Sequence, residues 1–119
     1  MIVAVTDLEV YRQSLELVAE LYQLLGRIDK SESDTISQIK RSAKSIPANI
    51  AEGFGKRASP REFKRFLLIA LGSSDETVTH LRLLCITAPY VRNELNVLTD
   101  KFVVLSKRIN KLHTSWISE

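Results

Sequence analysis

An apolar stripe that advances by steps of three and four residues recurs along this chain, and it restricts the possible folds more than any other feature. Leu8, Tyr11, Leu15, Val18, Tyr22 and Leu25 form one such stripe. Ile36, Ile39, Ala43, Ile46, Ile50 and Phe54 form a second, and Leu95, Leu98, Phe102, Leu105, Ile109, Leu112 and Trp116 a third. That period lies along one side of a helix and cannot be laid on one face of a strand. Between the last two, Ser59-Pro60-Arg61-Glu62 reads as the start of another helix: serine caps, proline takes the first helical position and glutamate closes a capping box. That helix runs to Ala88, just before Pro89, and residues 60–88 would span about 43 Å.

Four helices are therefore expected, over 7–26, 34–54, 60–88 and 94–116. Thr6 and Glu9 read as a capping box for the first, and Gly26 as its left-handed end. Ser31, Ser33 and Asp34 offer caps for the second, and Asn93 for the fourth. Pro47 removes the amide that would bond the Ala43 carbonyl, but the stripe keeps its phase across it. One kinked helix is expected there, not two short ones. Short connections and a period near 3.5 residues predict a left-handed, antiparallel, up-and-down four-helix bundle, all-α and one domain over 1–119.

Composition agrees with that class: 45% of the 119 residues are hydrophobic, 26% charged and only 7% aromatic. The single cysteine, Cys85, excludes an internal disulfide and a thiolate metal cluster, and its apolar neighbours suit a small buried side chain. Met1 to Val5 is apolar but too short for a signal peptide, and no apolar run approaches the roughly 20 residues of a membrane span. A cytoplasmic protein without membrane association is expected.

One segment departs from one-sided patterning. Phe66-Leu67-Leu68-Ile69-Ala70-Leu71-Gly72 is apolar on every side of the helix, and a helix apolar all round is covered all round. No loop is long enough to cover Leu68 and Ile69, so self-association is expected through Phe66, Leu68, Ile69, Gly72 and Ser73. Apolar residues beside the main stripes, among them Leu17, Leu21, Leu24, Val97, Val103 and Val104, widen the faces of the first and fourth helices. The small residues Gly72-Ser73-Ser74 suggest close backbone approach by another helix.

Charge is distributed unevenly. Residues 1–39 carry a net −4, residues 40–65 a net +6 and the remainder +1. The basic stretch comprises Lys40, Arg41, Lys44, Lys56, Arg57, Arg61, Lys64 and Arg65 against Glu52 and Glu62. Phosphate contacts need only charge and reach, so this is the candidate nucleic-acid surface. A solvated helix face would carry the same residues. No interleaved aromatics point to base stacking, so binding through backbone and shape is expected.

Catalytic signals are poor. Glu76 and His80 lie one helical turn apart, a spacing more typical of a surface contact, and His113 is on another helix. No Glu-x-x-His pair recurs, and Gly53-Phe54-Gly55-Lys56 lacks the spacing of a phosphate loop. Neither a metal nor a cofactor is expected, nor enzymatic activity.

Ser45-Ile46-Pro47-Ala48-Asn49-Ile50-Ala51-Glu52-Gly53 resembles the S-I-P-x-N-I-A-E-G signature of the 23S rRNA intervening-sequence protein family, also called the four-helix bundle protein family. Glu62-Phe63, Arg65-Phe66-Leu67 and Ile69-Ala70-Leu71-Gly72-Ser73 are similar to its E-F-x-R-F-L-x-I-A-x-G-S segment, and Asp7-Leu8-Glu9-Val10-Tyr11 to its usual start. The resemblance covers the first three helices; the fourth aligns only by heptad. It implies a homopentamer around a central channel. Some members are encoded within large-subunit ribosomal RNA genes, and a related branch, the accessory variability determinant of diversity-generating retroelements, binds nucleic acid and works with a reverse transcriptase. RNA or DNA, a reverse transcriptase and further copies of the chain are thus the implied partners, with a protein-binding scaffold as the alternative function. Ser74 and Thr77 stand where the family pattern has leucine, and Ala48 where serine is common.

Overall fold

The computed structural model describes residues 1–117. Its four α-helices are α1 (Glu9–Leu25), α2 (Ser33–Gly55), α3 (Pro60–Thr87) and α4 (Arg92–Ser115), with single 3-10 turns at Val5–Asp7, Lys30–Glu32 and Pro89–Val91. Side-chain contacts fix the directions. Glu9 meets Arg108, Glu20 meets Lys101 and Arg27 meets Glu94, so α1 and α4 are antiparallel. Ser42 meets Thr77 and Ser45 meets Ser73, so α2 and α3 are too. Helices adjacent in sequence pack side by side, α1 closes the set against α4, and α1 and α3 stand diagonally opposed. The result is an up-and-down four-helix bundle 46 Å long.

Helices α2 and α4 bury the stripes read from their sequences, with Ile39, Ile46, Ile50, Leu95, Phe102, Leu105 and Ile109 fully enclosed. α1 buries a different face from the one its richest stripe indicates. Leu15 is 47% exposed and Tyr11, Val18 and Tyr22 are only half-buried, whereas Val10, Ser14, Leu17, Leu21 and Leu24 face the core. The buried set also steps by four and three, and Ser14 is tolerated there because its hydroxyl donates to the Tyr11 carbonyl at 2.7 Å.

The helix ends use other chemistry than expected. Thr6 and Glu9 form no capping box at the start of α1, whose N-cap, Leu8, makes no side-chain cap bond. Asp7 instead accepts from the amides of Val3 and Ala4 at 2.8 and 2.9 Å. Gly26 ends α1 in a right-handed conformation, φ −64°, and no glycine has positive φ. Ser31, Ser33 and Asp34 do not cap α2. Asp29 accepts from the Ser31 amide at 2.8 Å and holds the preceding turn. Asn93 lies inside α4, which begins at Arg92 after Val91. Only the Ser59 cap of α3 matches the sequence reading, accepting from the Glu62 amide at 3.3 Å. α2 continues through the buried Pro47, as the unbroken stripe predicts.

Ser74 and Thr77 are fully buried, with their hydroxyls satisfied. Thr77 donates to the Ser73 carbonyl and shares a 2.8 Å hydrogen bond with Ser42. Ser106 donates to Ser74, which donates to the Phe102 carbonyl. This polar layer ties α2, α3 and α4 together at one level, where leucines would leave the sliding register less defined.

Backbone amides hold the Asp7 and Asp29 carboxyls below the usual carboxylate range. Glu94, stabilised first by its own amide and then by Arg27, is lowered too. Each is more acidic folded than unfolded, so its contribution is complete above the ordinary carboxylate pKa and fades as pH falls through the folded-state value. The urea midpoint is therefore expected to be flat from neutral pH to about 5 and to fall below about 4, with a shallower fall in Asp7→Asn. An acid limb identical in that variant would remove Asp7 from the account.

Candidate nucleic-acid interface

The eight basic residues do not form one continuous patch. Lys40 and Lys44 line the α1 flank of α2, both over the ring of Tyr22, their ammonium groups 4.9 and 5.6 Å from its centre. Arg41 is exposed beside them. Lys56, Arg57, Arg61, Lys64 and Arg65 gather at the corner where α2 passes into α3. Twelve residues of helix, about 18 Å, separate Lys44 from Lys56.

Aromatic rings underlie the corner group as well. Lys56 lies 5.0 Å and Arg65 4.4 Å from the ring centre of Phe66, and Arg57 lies 4.0 Å from that of Phe54. These rings come from helix positions that the linear pattern assigns to the core, and they lie beneath the cations instead of standing between them as open stacking faces. Each cation gains a modest electrostatic attraction to the ring and loses side-chain freedom. Arg57 also donates to the Phe54 carbonyl at 3.1 Å.

Two carboxylates temper this corner. Glu52 approaches Lys56 at 3.9 Å and Glu62 pairs with Arg65 at 3.2 Å. The hydrogen bond from Arg65 holds the Glu62 carboxyl below its usual range. Among the described residues, Lys40, Arg41, Lys44, Arg57, Arg61 and Lys64 have no ion-pair partner.

The motif residues that resemble a family signature are chiefly the two sides of the α2–α3 seam. Asn49 donates its side-chain amide to both the carbonyl and the hydroxyl of Ser45 at 2.8 Å, and Ser45 bonds Ser73 at 2.9 Å. At Gly53 the helices come so close that an added Cβ would lie 2.6 Å from the Cβ of Phe66. The signature thus encodes helix packing and contains no reactive constellation. Within the subunit the close approach lies at Gly53, whereas around Gly72 a Cβ would meet nothing within 4 Å, so an approach there would have to come from another subunit.

Of the residues expected at a self-association face, Leu68 and Ile69 are 49% and 40% exposed, and Gly72 is exposed beside them. Phe66 and Ser73 are engaged within the subunit, Phe66 against Gly53 and Ser73 with Ser45. Glu76 and His80 touch at 3.3 Å on the flank of α3. Among the described residues no three His, Cys, Asp or Glu side chains come together as a metal site would require, and no helix is long and apolar enough to cross a membrane. Two surface grooves follow the α1–α4 seam, one past Glu20, Arg27 and Val97 and the other past Leu8, Arg108 and Leu112. None of the basic segment lines them.

A crystal structure of a protein of unknown function from the S23 ribosomal protein family, from Bacteroides thetaiotaomicron VPI-5482, superposes with a TM-score of 0.77 at 28% identity. The similarity covers 89% of this chain and 99% of that one. No curated protein matches. The sequence pattern of the 23S rRNA-intervening sequence protein family matches residues 6–111, spanning all four helices, and the chain belongs to that family.

Proposed function

We propose that this protein is a non-enzymatic, oligomeric accessory protein that binds the phosphate backbone of nucleic acid. The observation that carries the reading is the set of cations along α2 and at its corner with α3, six of the eight without an ion-pair partner among the described residues. A surface of that kind favours a polyanion and carries no base-reading pattern.

Assembly is the second part of the proposal. The exposed apolar residues Leu68 and Ile69 lie on α3, and Leu15 lies on α1, the helix diagonally opposite. Patches on opposite sides of one subunit suit a head-to-tail contact, and such contacts close into a ring when the rotation allows. Five copies is the number that the family resemblance implies. Repetition multiplies the weak attraction of one basic stretch into useful avidity.

Charge reversal of Lys40, Arg41, Lys44 and Arg61 to glutamate tests the surface. All four are wholly or partly exposed, so the fold should persist. Binding to RNA or DNA, followed by fluorescence anisotropy at low salt, is expected to weaken by at least about a hundredfold. Unchanged affinity in a folded variant would sink the assignment.

A further inference from the structure

We propose that the basic surface selects double-helical nucleic acid over single strands, because the aromatic rings within it are already occupied by the chain's own cations. This rests on the phosphate-binding role proposed above and specifies its ligand.

A single strand is normally held by two features at once, a basic groove along its backbone and exposed aromatic faces on which its bases stack. The first is present here. The second is not: Phe54 and Phe66 are buried and carry Arg57, Lys56 and Arg65, and Tyr22 carries Lys40 and Lys44. A base could stack only by displacing these groups. Tyr90 is exposed, but it stands at the α3–α4 turn with its hydroxyl accepting from the Asp29 amide, away from the basic corner.

The same contacts favour a stiff, densely charged ligand. The cations are held at two stations, on opposite flanks of α2 and about 18 Å apart along it. A duplex presents rows of phosphates at fixed separations and can meet both stations without first being ordered, whereas a flexible strand loses freedom in doing so. Duplex DNA also carries one charge per about 1.7 Å of axis, and each phosphate neutralised on it releases more counterion than on a single strand.

The test compares one duplex of roughly 20 base pairs, as RNA and as DNA, with its separated, unstructured strands at about 50 mM salt. Both duplexes are expected to bind at least about tenfold more tightly than the strands. Tyr22→Leu, checked for helicity by circular dichroism, should weaken single-strand binding no more than duplex binding, since the ring it removes offers no open stacking face. Equal or tighter binding of single strands overturns the inference while leaving phosphate binding intact, and so does a loss of single-strand binding in Tyr22→Leu that the duplex does not share. Binding of neither form overturns the proposed surface itself.

Discussion

Gly53→Ala is expected to destabilise the bundle by about 2 kcal/mol, lowering the thermal midpoint by about 8 °C, although alanine is the better helix former. The new methyl group would stand 2.6 Å from the Phe66 Cβ, 3.1 Å from a ring carbon of Phe63 and 3.3 Å from the Phe63 carbonyl oxygen. Two of these neighbours cannot step aside alone, because a Cβ and a carbonyl move only with their helix. The third is confined as well: the Phe63 ring is fully buried and meets Phe54 and Trp116 edge-on, with centres 6.1 and 4.7 Å away. α3 must therefore withdraw from α2, loosening a well-packed seam. Overpacking of this kind costs about 1–3 kcal/mol or somewhat more, and the propensity gain of about 1 kcal/mol offsets part of it. Gly55→Ala is the control. It lies two residues further along the same helix, has nothing within 4 Å of the added Cβ, and should leave stability within about 0.5 kcal/mol. Both are to be compared at one protein concentration, since assembly adds to apparent stability. If Gly53→Ala matched Gly55→Ala, the close approach of α2 and α3 would be wrong.

That glycine also shows where reading the sequence fell short. In the linear pattern Gly53 and Gly55 together read as a helix end, and α2 does end at Gly55, but that pattern does not show what Gly53 itself does. Its importance comes from α3, and a contact between helices has no local signature. The basic cluster misled in a related way. Residues adjacent in sequence between Lys40 and Arg65 were divided by helix geometry into two stations on different flanks, and the aromatic rings beneath them come partly from α1. Helices α2 and α4 were legible because each has one dominant stripe. α1 carries two stripes of the same rhythm, and the aromatic-rich one lost to a set interrupted by Ser14, whose hydroxyl finds a partner in its own helix. Helix existence survived these ambiguities. Of the N-caps only Ser59 did, because Asp7 and Asp29 bind neighbouring amides whose positions depend on the path of the turn.

Leu68→Glu combined with Ile69→Glu is expected to convert the assembled protein into a 13.5 kDa subunit while leaving its helicity unchanged. Within one subunit both side chains are substantially exposed, so glutamate there displaces no core contact. In a ring joined through α3, each contact would instead have to bury two unpaired carboxylates. Desolvating even one such charge outweighs the apolar gain it replaces, and a loss of about 4 kcal/mol per contact lowers association by about three orders of magnitude. Light scattering on the parent protein and the variant reads this directly. A parent that runs as a subunit at all concentrations, or a variant that stays assembled, would remove α3 as the joint. The variant also separates the two parts of the proposed function. It keeps every cation of the basic stretch but shows each only once, so its affinity for nucleic acid should fall by at least about tenfold through lost avidity, with local contacts intact. Affinity unchanged in a monomeric variant would mean that one copy of the surface suffices and that the ring serves some other purpose.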